Sequence, residues 1–301
     1  MSFQEGLRLC HLSDPHVGGR KGAIAVLAHL LSDAVERGAS HFLFTGDLVE
    51  RPYKKDLLAI VDLLKSRGLW SSRCCTLLPG NHDVSGLVDD PEFGRTTEDR
   101  AKALKAFLRS TAHVNRPYRA RGIPLRRGGL ILKRLGPVSL LCFSSPSVDH
   151  SVEGALTGED LEYLRTVFKR PKKGPRLVAL HHHPYSLPPG TSKKLGRFIP
   201  PGLSGGGKLL EACVDNEVDL VLHGHLHTSG RPFDRKWRGT RINCQGTARG
   251  ELKDNRRRFG YDLYNLSTSG LRRRRYFFDS AAVVDSCIER LLNGQGCLGG
   301  R

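Results

Sequence analysis

"LVLHGHLH" (residues 220–227) places three histidines at alternate positions at the end of an apolar run. Alternate residues of an extended strand point to the same side, so His223, His225 and His227 share a side if the strand continues. Gly224 permits a close turn of the backbone around an ion. The octapeptide therefore indicates either a buried strand with a polar end or a strand that ends in metal ligands.

Four other polar motifs follow apolar runs in the same way. They are "SDPH" with Asp14 and His16, "TGD" with Asp47, "PGNHD" with Asn81, His82 and Asp83, and "HHHP" with His181, His182 and His183. Each motif alone is compatible with ordinary turn chemistry or a polar strand end. The carboxyl ends of strands in an open α/β sheet gather along one edge, so the five motifs together predict one shared crevice.

The combined set contains carboxylates, imidazoles and an amide oxygen. This mixture suits Mn²⁺, Fe²⁺/Fe³⁺ or Zn²⁺ better than an all-oxygen calcium site or a thiolate zinc site. One carboxylate can bridge two ions, and two cations about 3.5–4 Å apart can activate a shared water and hold a phosphoryl group in line. The residues therefore predict a site for two metal ions and phosphoester hydrolysis.

Apolar strands alternate with helical spacing along the chain, which predicts an α/β sheet. The first strands are "LRLCHLS" (7–13), "HFLFT" (41–45) and "CCTLL" (74–78), with helices between them. The next predicted elements are a helix over 97–110, a hairpin at 130–144, a helix that begins with a Thr157/Asp160 capping box, the strand at 176–180 and a helix over 208–216. Residues 184–207 read as a functional loop, and three strands from 240 to 278 complete one domain over residues 1–279, followed by a C-terminal helical tail at 280–301.

Composition indicates a folded protein of the reducing cytoplasm. The 301 residues are 39% hydrophobic and 26% charged, and the eight cysteines never form a CxxC motif, which argues against a zinc finger. No run approaches the roughly 20 apolar residues of a membrane span, and the first residues contain no apolar export segment.

A net charge of +18, from 48 Lys and Arg against 30 Asp and Glu, favours an anionic partner. The positive charge is concentrated in several segments. They are the five arginines between 116 and 127, the runs Arg256–Arg258 and Arg272–Arg275, and Lys193, Lys194 and Arg197 of the loop.

The five motifs, taken in order, resemble those of the calcineurin-like metallophosphoesterase superfamily. The superfamily motifs are D-x-H, G-D, G-N-H-[DE], a strand-end His and G-H-x-H. The chain carries them as Asp14–His16, Gly46–Asp47, Gly80–Asp83, His181 and Gly224–His227. The resemblance covers about residues 7 to 278. It implies a four-layer α/β/β/α sandwich, with two packed mixed β-sheets flanked by helices and a dimetal site at the edge.

Roles for individual residues follow from this resemblance alone. Asp14, His16 and His227 would hold the first ion, Asp47 would bridge, and Asn81, His181 and His225 would hold the second. His181 is preferred to His182 as the metal ligand, and His223 is expected to lie next to the ligands without binding metal. A hydroxide shared by the metals would attack in line, His82 would stabilise charge or protonate the leaving oxygen, and Asp83 would orient the His82 ring.

"HLSDPHVGG" and "HHHP" are similar to the bacterial branch that contains cyclic-nucleotide and glycerophosphodiester phosphodiesterases. The expected substrate is a small phosphorylated molecule, with the 184–207 loop closing over it. One alternative is a hydrolase of a nucleotide-linked lipid precursor, of the UDP-diacylglucosamine pyrophosphatase type, held at the inner face of the membrane by the basic runs and the tail. A DNA nuclease that binds the phosphate backbone through arginines 116–127 is less favoured, because an aromatic content of 7% offers few side chains on which bases could stack. A non-catalytic scaffold is disfavoured because every expected type of metal ligand is present.

Overall fold

Strands and helices alternate along the chain in the computed structural model, which describes residues 6–85, 96–116, 130–187, 191–192, 199–230, 233–253 and 256–279. The strands in these residues are β1 (Leu7–Leu12), β2 (His41–Thr45), β3 (Cys75–Leu78), β4 (Ile131–Leu135), β5 (Val138–Cys142), β6 (Gly154–Ala155), β7 (Arg176–Ala179), β8 (Leu203–Ser204), β9 (Leu220–His223), β10 (Arg235–Trp237), β11 (Thr240–Cys244), β12 (Glu251–Lys253), β13 (Arg256–Ser267) and β14 (Gly270–Asp279). The helices are α1 (Ala23–Glu36), α2 (Lys54–Ser66), α3 (His82–Ser85), α4 (Thr97–Thr111), α5 (Gly158–Phe168) and α6 (Gly206–Asp215).

Two large mixed sheets contain most of the strands. The first sheet has the order β12-β13-β1-β2-β3, with β14 paired to β13, and the second has the order β10-β11-β9-β7-β5-β4. Strands β1, β2 and β3 are parallel to one another, and so are β5, β7, β9 and β11. Each sheet therefore collects the carboxyl ends of its parallel strands at one edge.

Three apolar layers hold the sheets and helices together. Leucines of both sheets, among them Leu43 and Leu177, pack in the layer between the sheets. The outer face of the first sheet is covered by α1, α2 and α4, and that of the second by α5 and α6. The predicted four-layer α/β/β/α sandwich is confirmed.

The strands read as continuous apolar runs because both faces of each sheet are covered. Leu9 of β1 faces the layer between the sheets, whereas its neighbour Cys10 packs against the helices. All five residues of β2 are buried. A strand buried on both faces carries apolar side chains at most positions rather than at alternate ones.

The predicted capping box at the start of α5 is present. The Thr157 hydroxyl accepts a hydrogen bond from the Asp160 N–H at 3.2 Å, and Asp160 Oδ2 accepts one from the Thr157 N–H at 2.7 Å. These bonds satisfy two donors that a helix start otherwise leaves free.

The described residues of the segment from Pro184 to Gly207 include secondary structure that the sequence did not predict. It contains β8, which pairs in parallel with β6, and the first residues of α6. A strand of two residues is too short to produce a periodic sequence signal.

Several predicted features lie outside the described residues; these are Lys193, Lys194, Arg197, the arginines from 119 to 127 and the helical tail predicted for 280–301. Among those described, no helix is long and apolar enough to span a bilayer.

His41, the first residue of β2, is a fully buried histidine with both ring nitrogens bonded. Nδ1 lies 2.6 Å from the carbonyl oxygen of Arg73, and Nε2 lies 2.9 Å from the hydroxyl of Thr76. Burial, aided by the nearby ammonium of Lys133, lowers the pKa of His41 to about 3. The ring is therefore neutral, with the Nδ1 proton donated to the carbonyl.

This histidine predicts a loss of stability in acid. An unfolded chain takes up a proton at His41 as the pH falls through about 6.5, whereas the folded chain does so only near pH 3. The group should therefore lower the free energy of unfolding by about 1.4 kcal/mol per pH unit between pH 6 and pH 4. Urea denaturation of His41→Gln should show a shallower loss over this range, and the exposed His113→Gln should behave like wild type. Equal slopes for wild type and His41→Gln would contradict the assignment.

Candidate metal centre

The carboxyl ends of the parallel strands of both sheets meet at one seam, and the predicted ligands lie there. From the first sheet come Asp14 and His16 after β1, Asp47 after β2, and Asn81 and His82 after β3. The second sheet contributes His181 after β7, and His225 and His227 after β9. The seam therefore joins residues from the two sheets rather than from one.

One group of side chains surrounds His16. Its Nε2 atom lies 2.9 Å from His227 Nε2, 3.6 Å from Asp47 Oδ2 and 4.0 Å from Asp14 Oδ1. His227 Nε2 lies 3.5 Å from Asp14 Oδ1. The ligand atoms of these four residues lie within 4.8 Å of one another. They correspond to the predicted first metal position.

A second group surrounds His181. Its Nε2 atom lies 3.3 Å from Asp47 Oδ2, 3.1 Å from Asn81 Oδ1 and 3.1 Å from His225 Nδ1. His225 Nδ1 is also 3.0 Å from Asn81 Oδ1. Asp47 Oδ2 is near both groups, and Asp47 is the residue for which the sequence resemblance implies a bridging role.

The donor atoms fit cations better than they fit one another. Imidazole nitrogens face each other at 2.9 Å and 3.1 Å in the two groups, so several potential metal-binding atoms share a small space. Asp47 Oδ2 is buried and accepts no well-formed hydrogen bond, because its nearest donors are imidazole nitrogens 3.3 and 3.6 Å away. A buried carboxylate oxygen without a partner is costly, and a metal ion removes that cost.

The pKa values of the buried side chains also indicate that positive charge stabilises the site. Burial raises the pKa of Asp14 to about 7, and the nearby charge of Asp47 adds to the increase while His181 opposes it. Burial disfavours the charged ring of His181, but Asp47 raises its pKa to about 9. The charge of His181 in turn holds the pKa of Asp47 well below its usual range in spite of burial. Two buried carboxylates thus share one imidazolium, and cations can take over this role.

The ligand positions have an unusual backbone conformation. Five of the seven described non-glycine residues with positive φ are predicted ligands; these are Asp14 (58°), His16 (46°), Asp47 (50°), His225 (71°) and His227 (48°). Left-handed conformations cost roughly 1–2 kcal/mol each for residues with a Cβ, and such strain clusters at functional sites. The assumption that the extended conformation persists past His223 is therefore wrong, because the strand ends there and the next histidines turn.

Two glycines of the motifs allow the loops to approach closely. A Cβ atom on Gly80 would overlap the backbone nitrogen of Asp47, and one on Gly224 would overlap the hydroxyl of Ser13. The Ser13 hydroxyl donates to the Thr45 carbonyl, and Asp47 Oδ1 accepts from the His82 N–H, so neither neighbour can move aside without shifting the ligands. The glycines are therefore required by steric exclusion.

Two of the four candidate histidine ligands have a hydrogen bond on the far side of the ring, and a third has a close carboxylate contact there. His181 Nδ1 donates to the Thr45 carbonyl at 2.7 Å, and His225 Nε2 donates to the Pro201 carbonyl at 2.8 Å. His16 Nδ1 lies 2.9 Å from Glu50 Oε2. Such outer contacts fix the tautomer and the ring orientation of metal-binding histidines.

Glu50 is a residue that the sequence interpretation missed. Burial would raise the pKa of its carboxyl group, but the contacts with His16 and the Arg249 guanidinium lower the pKa. Its position three residues after Asp47, in "GDLVE", is the sequence signal that could have identified it.

Ligand atoms of His181, His182 and His225 all lie within 4.8 Å of one another, but the rings of His181 and His182 differ in their partners. His182 Nδ1 lies 2.9 Å from the Ser145 hydroxyl and Nε2 lies 3.0 Å from the Val152 carbonyl, so both nitrogens have partners away from the seam. His181 keeps one nitrogen free of such a partner. His223 does not join the ligand groups, because its Nδ1 contacts the Gly224 carbonyl and its ring packs against Tyr185.

The predicted orientation of the His82 ring by Asp83 is wrong. His82 Nδ1 lies 3.0 Å from the Glu50 carbonyl, whereas the Asp83 carboxylate accepts hydrogen bonds from the N–H groups of Leu48, Val49 and Gly80 at 2.8–3.2 Å. Both residues lie in α3, where adjacent side chains point in different directions. Asp83 instead fixes the loop that carries Asp47.

The sandwich and its seam of Asp, Asn and His side chains are the features of a metal-dependent phosphoesterase. Residues 7–229 match the sequence profile described as calcineurin-like phosphoesterase. The match covers most of the chain, and the protein therefore belongs to the calcineurin-like phosphoesterase family of hydrolases. No curated protein sequence matches the chain significantly.

Several solved structures share the fold at low sequence identity. A purple acid phosphatase, PPD1 from yellow lupin (Lupinus luteus), is 12% identical with a TM-score of 0.55; the match covers 92% of this chain but only 55% of the plant protein. GAP50 of Plasmodium is 13% identical with a TM-score of 0.53, over 92% of this chain and 89% of that one. PhoD is 12% identical with a TM-score of 0.51, over 90% and 72%. At these identities the likeness concerns the fold alone.

The assignment within "HHHP" can be tested by metal content. His181→Asn should lose about one of two bound metal ions, because the ring nitrogen that faces Asn81 and Asp47 is removed. His182→Asn should keep both ions. Elemental analysis of the purified variants after dialysis measures the ratio, and circular dichroism verifies that each has folded. Loss of metal from His182→Asn alone would reverse the assignment.

Proposed function

We propose that the chain is a dimetal-dependent phosphodiesterase that hydrolyses small phosphodiesters, with cyclic nucleotides as the leading candidates. The observation that carries this proposal is that two groups of nitrogen and oxygen donors share Asp47 Oδ2 and lie beside His82, whose ring is 4.6 Å from that of His16. A cytoplasmic location is part of the same proposal.

The residues divide between two ions as follows. Asp14, His16 and His227 would hold the first, Asn81, His181 and His225 the second, and Asp47 would contact both. Mn²⁺, iron or Zn²⁺ suits this donor set. Ions bound there would lower the pKa of a bound water and neutralise charge on the phosphoryl oxygens.

His82 is the proposed acid. Its Nδ1–H donates to the Glu50 carbonyl, which leaves Nε2 for the substrate, and the ring is partly exposed while the ligands around it are mostly buried. Its backbone N–H donates to Asp47 Oδ1 at 2.8 Å, so the ring is held at a fixed place relative to the bridging carboxylate. A protonated ring in this position can donate to the leaving oxygen.

The alternatives receive less support from the described residues. GAP50, which shares the fold, is described as an anchor in the inner membrane complex, but here every ligand position carries a donor side chain. The basic run at 272–275 is only half available to a lipid surface, because Arg275 pairs with Asp262 at 2.6 Å and Arg273 with Asp234 at 2.9 Å. The nuclease hypothesis rests on arginines that are mostly outside the described residues.

Removal of the bridging carboxylate should abolish activity. Asp47→Asn is expected to lower kcat/KM for bis(p-nitrophenyl) phosphate by about 10³-fold or more, because a shared ligand contributes to both ions and several kcal/mol of charge stabilisation are lost. The matched control is Asp62→Asn, an exposed aspartate of α2. Near wild-type turnover by Asp47→Asn, with or without added Mn²⁺, would exclude a bridged dimetal mechanism.

The acid role of His82 predicts a dependence on the leaving group. His82→Asn should retain both metal ions and lose about 10²-fold or more in kcat for an alkyl phosphodiester, whose leaving oxygen needs a proton. The loss should be much smaller for a p-nitrophenyl ester, because nitrophenolate leaves without protonation. Steady-state kinetics with the two esters gives the comparison, and an equal loss for both would assign His82 to phosphate binding instead.

A further inference from the structure

Arg249 places a guanidinium group beside the candidate metal centre. Its Nη1 atom lies 3.5 Å from Glu50 Oε2, and the same oxygen lies 2.9 Å from His16 Nδ1. A carboxylate oxygen of Glu50 also lies within 4.8 Å of a ring nitrogen of His82. A single carboxylate therefore separates the guanidinium from a candidate ligand of the first metal position and from the proposed acid.

The loop that carries Arg249 is fixed against the "HGHLH" motif. The Gly246 N–H donates to the Thr228 carbonyl at 3.0 Å. A Cβ atom on Gly246 would lie 2.7 Å from the His227 backbone nitrogen, so the two segments are in close contact. Ala248 is buried in the layer between the first sheet and its helices. The fold therefore sets the position of Arg249 relative to His227.

The first metal position is open to solvent on the side of His227. The His227 side chain is 34% exposed, whereas those of Asp14, His16 and Asp47 are at most 1% exposed. Arg249 is also 34% exposed. Burial is the main cause of the lowered pKa values of His16 and His227, and the charge of Arg249 adds to the decrease in both. A substrate that approaches over His227 therefore meets the charge of Arg249.

Most hydrogen-bond donors of Arg249 are unused. A guanidinium has five N–H donors in a planar fork. Within the described ranges, Arg249 makes one ion pair, with Glu50, and no hydrogen bond of normal geometry. At 3.5 Å this contact is longer than a well-formed bond between charged groups, and Glu50 has its shorter contact with His16. The guanidinium therefore keeps donors for an anionic ligand.

We propose that Arg249 is a substrate-binding residue that contacts an anionic phosphoryl oxygen of the substrate. A phosphodiester shares one negative charge between two non-bridging oxygens, and a guanidinium can donate to one or both of them. Arg249 thereby favours substrates that carry this charge over neutral esters. The inference rests on the proposed hydrolase function for the reaction, whereas anion binding at Arg249 can be measured without turnover.

Titration calorimetry with inorganic phosphate measures the anion contact directly. The metal-loaded Arg249→Met variant should bind phosphate about tenfold more weakly than wild type, because a hydrogen bond between charged groups is lost. Arg274→Met removes an exposed arginine of β14 and is the matched control, which should bind phosphate like wild type. Equal phosphate affinity in Arg249→Met and wild type would overturn the inference and leave the proposed function intact.

The competing explanation is that Arg249 only holds Glu50 against His16 and never meets the substrate. Elemental analysis separates the two explanations, because a substrate contact leaves the metal content of Arg249→Met equal to that of wild type. A lower metal content in this variant would assign Arg249 to the support of His16 and would overturn the inference.

A double-mutant cycle tests whether the effect passes through Glu50. Glu50→Gln removes the charged group that links Arg249 to His16. A direct contact with the phosphoryl group predicts that Arg249→Met weakens phosphate binding in the Glu50→Gln background by at least the factor seen in wild type. If Arg249→Met has no effect in that background, the residue acts only by positioning Glu50, and the inference is wrong.

Steady-state kinetics relates the contact to the reaction. Arg249→Met should lower kcat/KM for bis(p-nitrophenyl) phosphate by about tenfold or more, and Arg249→Lys, which keeps the charge but not the fork, should lose less. Unchanged kcat/KM in Arg249→Met would count against the contact. If wild type hydrolyses no phosphodiester, the proposed function is contradicted, and the phosphate titration still decides the role of Arg249.

Discussion

The buried negative charge of Asp47 is the constraint on which the rest of the seam depends. This carboxylate is 1% exposed and lies between the ends of the two sheets. Its Oδ1 is held by the His82 backbone of the first sheet, whereas its Oδ2 faces His181 of the second sheet and His16. A charge in such a place is tolerated only beside positive charge. The imidazoles, their outer hydrogen bonds and the strained loops all serve to meet this requirement.

Much of the fold could be predicted from the sequence because its signals are local. Strands such as β2 are buried on both faces and appear as unbroken apolar runs, and the start of α5 carries its own capping pair. The residues that meet at the seam could also be singled out from the sequence, since each lies shortly after the end of a strand. Strand β8 was not, because two residues carry no period. Its pairing with β6 depends on contacts that are remote in sequence.

Other features escaped the sequence because they depend on side-chain direction. Asp83 lies next to His82 in the chain, yet its carboxylate points to the loop of Asp47. The His82 ring is hydrogen-bonded to the Glu50 carbonyl instead of to the Asp83 carboxylate. The run at 272–275 appears uniformly basic, but in β14 alternate residues face opposite sides. Arg273 and Arg275 turn toward Asp262, whereas Arg272 and Arg274 are exposed. A charge count cannot separate the two sets.

The division of the ligands between the sheets also sets an order in time. During synthesis the ribosome releases Asp14, Asp47 and Asn81 first, but their imidazole partners in the second sheet belong to β7 and β9 and emerge much later. Until His227 has left the ribosome and β9 has paired with β7, the early residues form only an acidic half-site. The complete set of candidate ligands therefore assembles only after β9 has emerged and the second sheet has packed against the first.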